Sequence, residues 1–221
     1  MEAIQFQHVT KQFKQGSDTF DALKETNLTI DKGEFVAIIG PSGSGKSTFL
    51  TLAGGLQQPT QGRILINQKD ITTLSQNQLN TLRFNEIGFV LQASNLVPYL
   101  TVDDQFKFID QFRKEKNSTF KKELLDQLDI ASLSRKYPEE LSGGQRQRVA
   151  IAKALYNDPS VILADEPTAS LDTDHAYEVV NILSKQAKYL NKAIIMVTHD
   201  ERLIDTCDRV FKMVDGQLAE Q

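Results

Sequence analysis

"IIGPSGSGKST" (38–48) is an apolar run that stops abruptly at small and hydroxyl-bearing residues gathered around one lysine. Gly40, Gly43 and Gly45 let the backbone turn tightly and approach a ligand with no Cβ in the way. In such a turn, successive N–H groups face inward as an anion-binding nest. Lys46 adds a mobile positive charge, and Ser47 offers a hydroxyl oxygen to a hard cation such as Mg²⁺. The spacing matches G-x-x-x-x-G-K-[ST], so Gly40, Pro41, Ser42, Gly43, Ser44, Gly45, Lys46, Ser47 and Thr48 read as a phosphate-binding loop. The alternative is a glycine-rich turn carrying a surface lysine. The flanks favour the loop: "EFVAII" before it is strand-like, and "TFLTLAGG" after it reads as a helix with a glycine stop. A triphosphate on that helix would meet orphan amides and the favourable end of the dipole. Many enzyme classes share this loop, so it identifies a nucleotide and not a task.

Working outward, "FVAII" (35–39), "VILA" (161–164) and "AIIMV" (193–197) are short apolar runs without alternation. That pattern predicts strands of a parallel sheet buried on both faces. Between them "DTDHAYEVVNILSKQAKYL" repeats Val179, Leu183, Ala187 and Leu190 at helical spacing. Alternating strands and helices imply an α/β fold with ligands at the carboxyl ends of the strands. "IQFQHV" (4–9), "TNLTI" (26–30) and "GRILIN" (62–67) are β-rich and are assigned to an antiparallel side sheet. Residues 93–140 are polar and helical in pattern, an inserted helical subdomain whose first helix starts at "TVDD" (101–104). The whole is one domain over 1–221, with 1–92 and 141–221 forming the nucleotide-binding core and its β side sheet.

The composition fits this. A chain of 221 residues, 40% hydrophobic and 24% charged, can bury the core of one ordinary domain. A net charge of −4 with no basic block argues against nucleic acid as a partner. Cys207 is alone, which excludes an internal disulfide. No apolar run approaches the roughly 20 residues of a membrane span, and "MEAIQFQHVT" lacks a secretory pattern. The expectation is a cytosolic protein, or one held at a membrane by a partner.

Three further segments carry candidate chemistry. "VILADEP" (161–167) ends a strand with Asp165 and Glu166, which alternation would point opposite ways. One carboxylate can then serve a Mg²⁺ shell and the other an attacking water; capping of the turn before Pro167 is the alternative. "LSGGQRQRVAIAKAL" (141–155) has Ser142 as a helix N-cap, with Gly143 and Gly144 leaving the first amides uncovered. It reads as a second anion site or as a plain capped helix. "IIMVTHDE" (194–201) sets His199 just past a strand, where a histidine is either incidental or at the ligand edge. Gln92 follows the strand-like "IGFVL" and can reach a metal or water; His8 and His175 have no such setting.

Taken in order, Phe13, "GPSGSGKST", Gln92, "LSGGQ", "VILADE", "SLD" (170–172) and His199 resemble the nucleotide-binding subunits of ATP-binding-cassette transporters over nearly the whole chain. The resemblance implies an ATPase in which two copies close head-to-tail around two ATP molecules. Ser142, Gly143, Gly144 and Gln145 would then contact the γ-phosphate held by the other copy's Lys46. It further implies Glu166 as the base for water and His199 as the residue holding the γ-phosphate. Asp165, Ser47 and Gln92 would form the Mg²⁺ shell, Asp172 would join the two sites, and Phe13 would stack on adenine, a phenyl ring keeping the π face.

"ALKETNLTI", "GFVLQASNLVPYLTV" and "ILADEPTASLD" resemble the subgroup serving lipoprotein release, macrolide or peptide export, and haem efflux, with "SNLVPYLTV" nearest the haem exporters. This implies a subunit on the cytoplasmic face of the membrane, bound to a permease that docks near 93–115. Within that segment Leu96 and Tyr99 are the candidates for the docking groove, while Val97 and Leu100 are expected to pack under the helices. Two positions depart from the subgroup's pattern: Gln105 stands where Glu is usual and Lys153 where Arg is common. Cassette ATPases acting on DNA or ribosomes carry coiled coils or two cassettes, and a small-molecule kinase would need a lid where "LSGGQ" stands. Neither pattern is present.

Overall fold

The computed structural model describes residues 1–16, 18–113 and 118–221. The chain opens with two long strands, β1 (Glu2–Gln15) and β2 (Asp18–Asp31), followed by β3 (Phe35–Ile39), α1 (Lys46–Ala53), β4 (Gln61–Ile66), β5 (Lys69–Asp70), α2 (Gln76–Glu86) and β6 (Ile87–Leu91). There follow α3 (Val102–Asp110), α4 (Ser118–Gln127), α5 (Gly143–Tyr156), β7 (Val161–Asp165), α6 (Thr173–Tyr189), β8 (Ala193–Thr198), β9 (Arg209–Val214) and β10 (Gln217–Glu220).

Six strands form the central sheet in the order β10-β9-β3-β8-β7-β6, every neighbouring pair parallel except β10 with β9. The unbroken apolar runs have a physical reason. Along β3, Phe35 and Ala37 enter one core while Val36 and Ile38 enter the other. The same division sends Ile194 and Met196 of β8 to one side and Ile195 and Val197 to the other. With both faces covered, the middle of each of these strands is apolar, and polar residues enter only at the carboxyl ends, as Asp165 and Thr198 do. The helices α3 to α6 cover one face; α1 and the side sheet cover the other. The side sheet, β2-β1-β4-β5, is antiparallel throughout. The parallel core and the antiparallel side sheet both match expectation.

The helical region also starts as expected. Thr101 caps α3, its Oγ1 accepting from the Asp104 amide at 3.2 Å. Helical packing continues past residue 140, because α5 joins the same core and Tyr156 meets Phe106 edge-to-face at 5.1 Å between ring centres. Residues 114–117 of the expected insertion, and so 114 and 115 of the expected docking segment, lie outside the described residues. Among the described residues, no helix is long and apolar enough to cross a membrane.

Parallel strands place all their carboxyl ends on one edge. The loop after β3, Gln92 after β6, Glu166 after β7 and His199 after β8 therefore share that edge.

Candidate nucleotide-binding and catalytic site

The loop after β3 folds back over the start of α1. Lys46 is buried, and its Nζ donates to the carbonyls of Gly40 at 2.6 Å and Pro41 at 2.8 Å. The Ser44 amide donates to the Pro41 carbonyl at 3.3 Å, and the Ser44 carbonyl accepts from the Gly216 amide at 2.9 Å. Gly45 is the N-cap of α1 at φ 109, and a Cβ there would run into the carbonyl oxygen of Ala22. A Cβ on Gly40 would likewise collide with the Met213 carbonyl. Both glycines are required by close backbone approach.

This loop lines a cavity of about 820 Å³. Ser42, Gly43, Gly45, Lys46, Ser47 and Thr48 form one wall, Asp165, Glu166 and His199 another, and Phe13 with Phe20 a third. Burial lowers the Lys46 pKa, opposed by the nearby carboxylates of Glu166 and Asp165. The Asp165 carboxyl is shifted upward by burial and by Glu166, opposed by Lys46.

Asp165 and Glu166 do not point opposite ways. Both line this cavity, because alternation ends at Asp165 and Glu166 adopts a left-handed backbone at φ 48. That conformation is costly for a residue with a Cβ and persists only where neighbours fix it. Here the Glu166 amide donates to the Val197 carbonyl at 2.9 Å, and its carbonyl accepts from the Ala169 amide at 3.2 Å. The Glu166 carboxylate takes a hydrogen bond from His199 Nδ1, 2.9 Å from Oε1 and 2.7 Å from Oε2. This bond fixes the ring and leaves Nε2 for another partner.

The other candidates lie elsewhere. Gln92 and Gly143 line a second cavity of about 730 Å³, with Arg146, Gln147 and Ser170. Ser142 caps α5, its Oγ accepting from the Gln145 amide at 3.2 Å while Gln145 Oε1 accepts from the Ser142 amide at 3.0 Å. This reciprocal cap, signalled in sequence by S-x-x-Q, occupies one amide that sequence reading left uncovered. Asp172 caps α6 and holds His175 Nδ1 at 2.7 Å. Those bonds lower the Asp172 pKa and raise that of His175. The His175 ring packs on Gly144, where a Cβ would lie 3.0 Å from Cδ2. His175, read from the sequence as an ordinary residue away from any strand end, thus sits at the start of α6 beside the glycine pair.

The ABC transporter family profile matches residues 23–169. The chain belongs to the ABC transporter family. Two relatives named "Putative hemin import ATP-binding protein HrtA" are similar over nearly their whole length. The one from Staphylococcus haemolyticus is 40% identical, covering 98% of this chain and 99% of the relative. The one from Staphylococcus aureus strain Newman is 41% identical, covering 99% and 100%. Among solved structures, a dimeric post-hydrolysis state of the ATP-binding cassette MJ0796 with ADP and Pi has a TM-score of 0.84 at 36% identity, over 98% of each chain. The cassette cbiO1 of the cbiONQ complex from Clostridium perfringens has a TM-score of 0.87 at 32% identity, over 99% of this chain and 87% of that one.

As an ABC cassette the chain binds ATP and is an ATPase. Its cavity fits the nucleotide: a tight glycine loop on the N-terminus of α1, a buried lysine, and paired aromatic rings. The second ring, Phe20, was missed in the sequence. It stands across the β1–β2 hairpin in register with Phe13, the ring centres 5.8 Å apart. Only the pairing of the two strands brings it to the site. For Mg²⁺ the fit is also good, since Ser47 and Asp165 present hard oxygens to the same cavity. No cluster of three or more His, Cys, Asp or Glu among the described residues could hold a metal ion. Mg²⁺ prefers such sparse sites, keeping several waters beside one or two protein ligands and the phosphates.

Proposed function

We propose that two copies of this cassette close head-to-tail around two ATP molecules and drive a membrane permease that moves haemin outward. The observation that carries the dimer is the separation of two anion sites. The phosphate loop, Glu166 and His199 line one cavity, whereas Gly143 at the start of α5 lines another. A helix N-terminus favours an anion, and this one stands apart from its own chain's phosphate loop, which leaves it to meet the nucleotide of a second copy. The dimeric MJ0796 cassette supports the same reading.

In this mechanism Phe13 and Phe20 stack on adenine and Lys46 holds the phosphates. Ser142, Gly143, Gly144 and Gln145 approach the partner copy's γ-phosphate, and Asp172 couples the two sites. Ser47 and Asp165 would hold Mg²⁺, with Gln92 reaching in from the neighbouring cavity, and the bound ion would supply charge neutralisation at the phosphates. Glu166 takes the proton of the attacking water, its carboxylate aimed by the His199 bond. His199 presents Nε2 toward the γ-phosphate.

Haemin as cargo is supported by the two HrtA relatives, whose names specify import. Outward movement follows the haem-exporter resemblance, and the two directions predict opposite phenotypes. Deleting the gene should sensitise the host to added haemin and raise cell-associated haemin. Reduced uptake with unchanged sensitivity would reverse the direction. Lower tolerance to peptide antibiotics with normal haemin handling would assign peptide, macrolide or lipoprotein export instead.

At the cytoplasmic face of the membrane, the permease would dock in a groove of about 970 Å³ between α2 and α3, in which aromatic rings stand among polar side chains. Phe84, Phe108 and Phe112 line it as an edge-to-face set, with Arg113 beside them. Phe108 and Phe112 are 49% and 63% exposed, unusual for large apolar rings without a partner. Tyr99 is 77% exposed on the same segment, whereas Leu96 packs against the core and belongs to the fold. The double variant Phe108→Ser, Phe112→Ser should keep basal ATPase within about twofold, as exposed substitutions usually do. Haemin tolerance should fall to that of the deletion strain. Full tolerance would move the docking surface elsewhere.

A further inference from the structure

Gln105 of α3 and Lys153 of α5 touch each other. Lys153 of α5 donates from Nζ to Gln105 Oε1 of α3 at 3.4 Å and to the Asn95 carbonyl at 3.1 Å. Gln105 is only 2% exposed, and its amide is spent on the loop joining Gln92 to α3. Oε1 accepts from the Val97 amide at 3.1 Å, while Nε2 donates to the carbonyls of Val97 at 2.8 Å and Leu100 at 3.2 Å. Backbone chemistry fixes which way this amide faces, because the Val97 N–H can only donate and the two carbonyls can only accept. A carboxylate could serve the first of these bonds but not the other two. Gln147, also of α5, adds a weaker bond from Nε2 to the Leu91 carbonyl at 3.4 Å, just before Gln92.

The loop is therefore held from two helices at Leu91, Asn95, Val97 and Leu100, with Gln92 inside the held segment. One of those helices, α5, begins at the Ser142 cap. We propose that Gln105 and Lys153 form an internal clamp on residues 95–100 that positions Gln92, making both of them positioning residues for the ATPase. The proposal rests on the reading of Gln92 as a ligand of the metal or of the attacking water. It goes beyond that reading in assigning a role to two residues remote from the nucleotide cavity. A clamp acts on geometry at the reacting centre and not on ATP affinity, so its mark is a lowered kcat at constant KM.

The test uses the full chain in three variants, Gln105→Leu, Lys153→Met and Gln92→Ala. Two quantities are read: hydrogen exchange at the Val97 amide, and kcat and KM for ATP with Mg²⁺. Losing the Gln105 bond should speed Val97 exchange about 3- to 10-fold. Lys153→Met should speed it less. In both, kcat should fall by about tenfold while KM stays within about twofold, since a small misplacement costs rate and not binding. Where Gln105→Leu does not fold, Lys153→Met carries the same test. Unchanged Val97 exchange in the folded variants overturns the clamp. Faster exchange with normal kcat, while Gln92→Ala is impaired, overturns its link to catalysis. Normal kcat in Gln92→Ala overturns the positioning role through the reading beneath it. That failure is recognisable because Val97 exchange still answers to Gln105.

Discussion

Changing Glu166 to glutamine is expected to stop turnover while leaving ATP bound. The carboxamide has the size of the carboxylate and can still accept from His199 Nδ1, now 2.7–2.9 Å from the Glu166 oxygens. It cannot take a proton from water. Losing a positioned base costs about 10²–10⁴ in rate. The backbone should not respond, because the strained φ of 48 is held by bonds from main chain to main chain at Val197 and Ala169. Binding should persist, because the phosphate loop and the Phe13–Phe20 pair are untouched. With hydrolysis blocked and binding intact, ATP should accumulate in a closed dimer. Gel filtration with ATP and Mg²⁺, alongside single-turnover hydrolysis, reads both effects. A variant that stays monomeric and hydrolyses ATP at the original rate ends the assignment of Glu166.

His199 separates positioning from proton transfer at the same site. Its bond to Glu166 is the only contact across the cavity wall that aims the carboxylate in the described structure. The pairing explains why a histidine at a loop, ambiguous in sequence, has a definite place once β7 and β8 lie side by side.

Much of the site was legible because parallel strands leave a strong trace. The runs 35–39, 161–164 and 193–197 carry no polar residue since their alternate side chains enter two different cores. Once they are strands of one parallel sheet, the phosphate loop, Glu166 and His199 must meet at its carboxyl edge. What the sequence hid depends on long-range pairing or on one backbone angle. Phe20 joins Phe13 only through the register of β1 with β2. Asp165 and Glu166 face one cavity because a single left-handed residue breaks the alternation that would separate them. Gln105 and Lys153 lie 48 residues apart, and only the packing of α3 on α5 makes them neighbours. The fold's short or exposed pieces, α2 and the β9–β10 hairpin, have too few buried residues to leave a periodic signal.

Lys46→Ala and Ser142→Arg should fail in different ways, and the difference tests whether one nucleotide is shared between chains. Lys46 is 7% exposed, with its ammonium folded onto the carbonyls of Gly40 and Pro41. Its removal strips the phosphates of their buried cation and releases the loop that cradles them. Truncating a buried charged contact costs about 2–5 kcal/mol, so ATP affinity should fall on the order of 10²-fold or more in the single chain. Ser142 is exposed at the start of α5 and does not line its own chain's phosphate-loop cavity. Arginine there adds bulk and charge where a second copy must approach, yet touches nothing that binds the chain's own ATP. Equilibrium binding to the monomer should stay within about twofold of the parent, the range of ordinary exposed substitutions. ATP-dependent dimerisation and hydrolysis should both be lost. Ser142→Ala is the control, since it removes the bond to the Gln145 amide without adding bulk. It should weaken the helix start and leave dimerisation measurable. Sedimentation with ATP and a fluorescent nucleotide titration separate the outcomes. If Ser142→Arg and Lys46→Ala lose monomer affinity equally, the anion site at α5 serves its own chain and the head-to-tail dimer is wrong.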